Sequence, residues 1–69
     1  MRYLIRGEDE RGQLVWHGAA MVDGKLTTTW LAQRSGAWPY SLLNAACEVL
    51  TELRMKGDAI AKYAVVVND

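Results

Sequence analysis

The sequence predicts an α+β domain, a four-stranded, mostly antiparallel sheet with one helix packed on one face. Asp23-Gly24 stands between two runs of alternating residues, which predicts a hairpin because a type I′ turn needs positive φ at both central positions. An amphipathic stretch after Pro39 predicts the helix, and three successive valines near the C-terminus predict a last strand. The element order is therefore β-β-β-α-β, in a single domain that covers residues 1–69.

The first half of the chain predicts a meander of three strands. Arg2–Arg6 alternates and forms the first strand, and the charged, glycine-bounded segment Gly7–Gly12 forms the turn. Gln13–Val22 and Lys25–Ala32 form the second and third strands, and the β-branched threonines of the third favour strand over helix. Residues 33–38 form a loop.

Helical periodicity dominates the next segment. Pro39 is expected to open the helix, because its fixed φ suits the first helical position. Through Tyr40–Lys56 apolar residues recur at three- and four-residue spacing, and Gly57 is expected to end the helix. Asp58 is expected to cap one further helical turn. The last strand, 63–68, is expected in the centre of the sheet because its valine run predicts burial on both faces.

The length of the chain points to association. A domain of 69 residues is marginal on its own, and small domains usually rely on disulfides, metals or oligomers. Cys47 is the only cysteine and His17 the only histidine, so an internal disulfide and a structural zinc site are both excluded. No cofactor or metal is expected. Partner binding or oligomerisation remains, and a homodimer is expected.

Charge and hydropathy exclude several further classes. Eight basic and eight acidic residues cancel, so no excess charge drives binding to nucleic acid. No apolar run approaches the ~20 residues of a membrane span, and the N-terminal run is too short for a signal peptide. Cys47 is expected to be a buried packing residue of the helix, and a free cysteine fits a reducing cytoplasm. The predicted localisation is cytoplasmic, with no membrane partner.

The Asp23-Gly24 turn also sets the register of its hairpin. Val22 is expected opposite Lys25 across a two-residue loop. The pairs that follow are Met21 with Leu26, Ala19 with Thr28, His17 with Trp30 and Trp16 with Leu31. A first turn of four or six residues would put Tyr3 and Ile5 on the Trp16 face, with Arg2, Leu4 and Arg6 on the Trp30 face. A slip of one residue in that turn would exchange these two sets.

The helix is expected to cover the Trp16 face, where small residues permit close approach. The opposite face would then expose an apolar patch, and patches of this kind mark interaction sites. Its predicted interface residues are Leu4, Arg6, Val15, His17, Met21, Leu26 and Trp30. Trp, Met and Arg are enriched in protein interfaces. The alternative is a sheet face with scattered exposed apolar groups, which is common in monomers. On the interface hypothesis, Trp30→Ala or Met21→Asp changes association without unfolding the domain.

Catalytic groups are not evident, and the chain is not expected to be an enzyme. His17 could serve as a general base, but the sequence places no Ser, Cys or carboxylate beside it. Glu8-Asp9-Glu10 lacks the ligand spacing of a calcium loop, so a solvated turn is expected. Gly7 and Gly12 do not form a phosphate loop, because neither the Lys-Ser/Thr ending nor a following helix is present.

A nucleic-acid-binding accessory domain is the alternative hypothesis. Aromatic residues on a sheet can stack bases, and arginines can bind phosphate. The residues for such a platform are Arg2, Arg6 and Arg11 with Tyr3, Trp16 and Trp30. Zero net charge and the absence of an RNP-like glycine-aromatic pattern argue against nucleic acid as a partner.

The β-β-β-α-β order resembles the first part of a ribonuclease-H-like fold and the shortened version seen in HicB-type antitoxins. The first resemblance implies an acid in the first strand, one in the helix and one after the fourth strand. Glu48 and Asp69 stand loosely in the second and third of these positions. The first strand, Arg2–Arg6, contains no acid, so metal-dependent nuclease activity is not expected.

The leading hypothesis is a non-enzymatic protein-binding module that masks a surface of its partner. Small, cysteine-poor single domains without catalytic groups often serve as inhibitors or adaptors. Phage-encoded inhibitors of host proteins, including anti-CRISPR-type proteins, form one such group. This comparison rests on the general class of small domains and on no particular residue.

Overall fold

The computed structural model describes all residues, 1–69. The strands are β1 (Tyr3–Glu8), β2 (Leu14–Val22), β3 (Lys25–Leu31) and β4 (Val65–Asn68), and the helix is α1 (Leu43–Met55). Short 3₁₀ turns lie at Arg34–Gly36 and Ala61–Tyr63. The strands form one antiparallel sheet in the order β3-β2-β1-β4. The predicted α+β class and the β-β-β-α-β order are confirmed.

The β2–β3 hairpin has the predicted register. Asp23 and Gly24 have φ values of 52° and 77°, as a type I′ turn requires. Val22 pairs with Lys25, and the pairing continues without a bulge to Trp16 opposite Leu31. The turn chemistry of two residues therefore fixes the position of the whole hairpin.

The β1–β2 turn differs from the prediction, and it exchanges the two faces of β1. Asp9 and Gln13 pair through their backbones at 2.9 Å, which leaves a three-residue loop that ends on Gly12 at φ 78°. A type I turn followed by a left-handed residue is a usual three-residue hairpin loop. An odd loop puts Arg6 opposite Trp16, so Arg2, Leu4 and Arg6 join the Trp16 face.

The helix covers the Trp30 face, and the prediction that it covers the Trp16 face is wrong. The core cluster consists of Ile5, Ala46, Leu50, Ala61 and Ala64, with Trp30 packed against it. Because the odd turn brings the fully buried Ile5 to the Trp30 face, the apolar stripe of α1 packs there. This face is called the helix side below.

The β4 strand lies at an edge of the sheet, so the prediction of a central position is wrong. It pairs only with β1, which takes the inner position between β2 and β4. Val66 packs against the core cluster, whereas Val65 is 45% exposed. A short apolar run can therefore also occur in an edge strand that is partly covered on both faces. The length of the run does not tell an edge strand from a central one.

The helix starts at Leu43, four residues after Pro39, where the sequence predicts its start. Tyr40 instead exchanges two backbone hydrogen bonds with Tyr3 of β1, at 2.8 and 2.9 Å. Two residues earlier, the N–H of Trp38 donates to the carbonyl of His17 in β2 at 3.1 Å. The segment 37–40, called the wedge segment below, is therefore bonded to β1 and to β2 where these strands diverge. These hydrogen bonds pair backbone groups of β1 and β2 that would otherwise have no partner. This gain outweighs the preference of Pro39 for the first position of a helix.

The helix ends as predicted. Gly57 has φ 82°, and its N–H donates to the carbonyl of Arg54, while the N–H of Asp58 donates to that of Leu53. This pair of bonds is a Schellman motif. The Asp58 carboxylate accepts from the N–H of Ala61 at 3.0 Å, so it caps the following turn, which is 3₁₀ in character.

Candidate binding surface

The sheet face opposite the helix is partly closed by the chain that follows β3. The Arg34 guanidinium lies 5.3 Å from the centre of the Trp16 ring, a cation–π contact. Gly18 permits the approach, since a Cβ there would lie 2.0 Å from the carbonyl oxygen of Gly36. Trp16 and Leu4 are consequently only 7% and 4% exposed. Trp16, one of the three aromatic residues of the platform for stacking bases, is therefore not available at the surface.

The predicted interface residues do not form one exposed face, and that part of the prediction is wrong. Leu4 and Arg6 lie on the side opposite the helix, because the β1 register is shifted by one. Val15 and His17 are buried, and Trp30 packs against the core. Only two members are strongly exposed on the helix side, Met21 at 66% and Leu26 at 69%.

A polar cluster of His17, Trp30 and Asp58 lies on the helix side, at the inner end of the β2–β3 hairpin. The inner end is the one away from the Asp23-Gly24 turn, and the outer end is the one next to it. The Trp30 indole N–H donates to both oxygens of the Asp58 carboxylate, at 3.2 and 3.0 Å. The His17 ring meets the Trp30 ring edge-on, with 5.2 Å between their centres, a favoured arrangement for aromatic rings. These contacts tie β2 and β3 to the turn after α1.

Burial lowers the pKa of His17, and the nearby Asp58 carboxylate opposes that effect. His17 is 4% exposed, and its Nδ1 is buried without a hydrogen-bond partner. Although burial alone raises the pKa of Asp58, hydrogen bonds from Trp30, Ala61 and Ile60 hold the pKa below its usual value. The Asp58 carboxylate is thus already engaged as an acceptor. The buried imidazole packs against the Trp30 ring.

An apolar cleft lies next to this cluster, where the helix no longer covers the sheet. It encloses about 220 Å³. Its walls come from β2, β3 and the wedge segment: His17, Gly18, Ala19, Leu26, Thr28, Trp38 and Tyr40. Met21, which does not line the cleft, pairs with its wall residue Leu26, and Trp38 is 50% exposed. Met21, Leu26, Trp38 and Tyr40 together are called the open patch.

Few polar groups interrupt the open patch. No residue that lines the adjoining cleft carries a formal charge, because the lowered pKa of His17 leaves its imidazole neutral at pH 7. Burial raises the pKa of the Tyr40 phenol, so its hydroxyl stays protonated and can donate a hydrogen bond. The surface is suited to an uncharged, apolar group with a hydrogen-bond acceptor at its edge.

A larger cleft, of about 380 Å³, lies between the end of β1 and the turn after α1. Arg6, Glu8 and Asp9 line it together with Ile60 and Tyr63. No three His, Cys, Asp or Glu side chains converge anywhere in the structure to hold a metal ion. Glu48 and Asp69 accordingly belong to no such group, and Asp69 is paired with Arg2 and Arg34.

The comparisons with known proteins do not identify a relative. The chain matches no family model, no curated protein and no solved structure. None of its helices has both the length and the apolar character needed to cross a bilayer.

Sequence reasoning missed half of the open patch. The sequence predicts a loop at Trp38 and the first turn of the helix at Tyr40, whereas both residues lie in the wedge segment. The missed signal is Pro39 itself, because a residue before proline favours extended backbone, here Trp38. Cys47 was also misplaced, since it is exposed on α1. The buried stripe of the helix runs through Ala46 and Leu50 instead.

Proposed function

We propose that this protein is a non-enzymatic protein-binding module that seats an apolar anchor of its partner on the open patch. One observation carries the proposal: the outer part of the helix-side sheet face is uncovered and its largest side chains are exposed. Met21, Leu26 and Trp38 expose 66%, 69% and 50% of their surface. Clustered exposure of this kind marks interaction sites in small domains.

The size of the cleft favours a protein partner over a small molecule. At about 220 Å³ it lies below the roughly 300–1,000 Å³ of typical ligand pockets. A shallow apolar pocket beside exposed Trp, Tyr and Met side chains has the composition of an interface centre. The partner group that fits it is an aliphatic or aromatic side chain presented without charge.

Masking a partner's surface is the action we propose, in the manner of a small inhibitor or adaptor. A phage-type inhibitor of a host protein, such as an anti-CRISPR-type protein, is one candidate of this class. The cytoplasm is the proposed site of action. The exposed free thiol of Cys47 supports a reducing compartment, where such thiols persist.

The test compares two methionines that are exposed at different places. The tagged wild type, Met21→Asp and Met55→Asp are used as baits in lysate of the source cells or their host. Met55 is 82% exposed near the end of α1, outside the open patch, so its substitution controls for added charge. A captured protein is then purified, and its Kd is measured for all three baits by calorimetry.

We expect Met21→Asp to weaken binding at least about tenfold, which corresponds to about 1.4 kcal/mol, and Met55→Asp to bind like the wild type. Equal binding by the two variants would place the interface elsewhere and overturn the proposal. Nucleic acid recovered in place of protein would support the alternative hypothesis of a nucleic-acid-binding accessory domain.

A further inference from the structure

The outer edge of β3 carries backbone groups that nothing in the fold pairs. β3 is the terminal strand of the sheet and bonds only to β2. Because Val22 and Lys25 flank a two-residue type I′ turn, they form a hydrogen-bonded pair, and hydrogen-bonded and non-bonded pairs then alternate. The N–H and C=O groups of Leu26, Thr28 and Trp30 therefore point outward. No backbone hydrogen bond outside the hairpin reaches them.

This edge also lacks the usual protection against pairing. β3 runs for seven residues without a bulge and without proline, and its one charged residue, Lys25, stands at its end. Natural sheets protect exposed edges with short strands, bulges, prolines or central charges. The other edge follows that rule, because β4 has four residues and is followed by Asp69, which is paired with Arg2 and Arg34.

We propose that two copies of this chain pair antiparallel along β3, with the two-fold axis at Thr28, and form one eight-stranded sheet. The proposal goes beyond the binding function above, because it uses the edge of the sheet and needs no other partner. Centred there, Thr28 faces Thr28 of the second copy, and Leu26 faces Trp30 of the second copy. Every outward N–H and C=O of these three residues then gains a partner.

The side chains are compatible with this register. Lys25 faces Leu31 of the second copy and Thr27 faces Thr29 of the second copy, so no like charges meet. A two-fold axis at Thr27 would instead leave the outward groups of Trp30 opposite the Asp23-Gly24 turn. The axis at Thr28 therefore satisfies the most backbone groups without electrostatic cost.

The dimer would place both open patches on one side of the joined sheet. Directly opposite residues in antiparallel strands project to the same face, so Leu26 and Trp30 of the second copy share the helix side. Leu26 belongs to the open patch of its own copy, and the two patches flank the two-fold axis. A homodimer built this way presents two anchor sites to a partner in a fixed relative orientation.

The first test uses neighbouring threonines on opposite faces of the edge strand. Both Thr27 and Thr28 are exposed. Thr28→Lys sets two ammonium groups opposite each other at the two-fold axis, whereas Thr27→Lys sets each lysine opposite a threonine. Sedimentation equilibrium of the purified proteins is compared over a range of concentrations, with circular dichroism to confirm that each variant is folded.

We expect a dimer for the wild type and for Thr27→Lys, and a dimer Kd raised at least about tenfold for folded Thr28→Lys. A wild type that stays monomeric at the highest concentration overturns the proposal, as does a Thr28→Lys variant that dimerises as well as Thr27→Lys. Because the samples contain no other protein, a negative result here leaves the proposed partner binding standing.

Amide hydrogen exchange of the wild type tests the register directly. The amides of Thr27, Thr29 and Leu31 are bonded to β2 in monomer and dimer alike. As concentration rises, we expect the amides of Leu26, Thr28 and Trp30 to become protected in addition. Protection confined to the open patch, with those three amides unchanged, would show association through the face and would overturn edge pairing.

Discussion

The two ends of the β2–β3 hairpin share the same strands and the same face of the sheet, but their surroundings differ. At the inner end His17 and Trp30 form a cross-strand pair that is enclosed by the turn after α1. At the outer end Met21 and Leu26 form an equivalent pair that is about two-thirds exposed. Alternation along a strand tells which face a residue occupies, and it does not tell how far along that face the covering layer extends.

The position of α1 accounts for the difference. The helix packs over β1 and β4, and the turn that follows it contacts β3 at Trp30. Gly7 allows that turn to come close, since a Cβ there would lie 2.5 Å from Ile60. Arg54 fixes the turn by donating to the carbonyls of Ala61 and Ala64, each at 2.9 Å. One short helix therefore covers the inner end and leaves the outer end open.

The largest expected effect is on the free energy of unfolding when one side chain at each end of the hairpin is truncated to alanine. Trp30→Ala removes a packed ring and the hydrogen bonds to Asp58, so we expect the free energy of unfolding to fall by about 3 kcal/mol. Leu26→Ala at the outer end should change it by less than about 0.5 kcal/mol. Urea denaturation followed by circular dichroism measures both. Equal losses in the two variants would show that the ends are packed alike.

A smaller effect on the free energy of unfolding is expected at Gly18, which lies between the two ends of the hairpin. There the segment around Gly36 packs on the sheet face opposite the helix. Gly18→Ala places a Cβ against the backbone of Gly36, which cannot move aside as a flexible side chain would. We expect a loss of about 2 kcal/mol in the free energy of unfolding, typical of overpacking. Ala20→Ser, two residues further on the same face, is the control and should be near neutral in the same denaturation experiment.

The smallest expected effect is a pH dependence that belongs to the inner end alone. Burial lowers the pKa of His17 in the folded state, so between about pH 6.5 and the folded pKa only the unfolded chain binds the proton. The free energy of unfolding should therefore be unaffected by His17 above about pH 6.5 and decrease as the pH falls below it. Denaturation at pH 7, 6 and 5 measures this slope.

His17→Phe serves as the comparison for that slope, because it keeps an aromatic ring against Trp30 and removes the titrating group. We expect the variant to lose the dependence between pH 7 and 5, and Met21→Asp to retain it. A wild-type slope that persists in His17→Phe would assign the effect to another group. The Asp58 carboxyl titrates at lower pH, since its pKa lies below its usual value.

Local chemistry made several features predictable from the chain alone. Asp23-Gly24 fixes the hairpin register through the sign of φ, and Gly57 ends the helix for the same reason. Of the open patch, Met21 and Leu26 were predicted as exposed members of an interface, because hairpin register places them together. Trp38 and Tyr40 were not, since their positions depend on hydrogen bonds to β1 and β2.

The sequence by itself determined the class, the order of the elements and the β2–β3 register, because these depend on contacts between residues close in the chain. Only the tertiary structure decided which face the helix covers, that β4 lies at an edge, and that Cys47 is exposed. A single loop ending on Gly12 sets the face of Ile5, and the helix packs on the face that receives this residue.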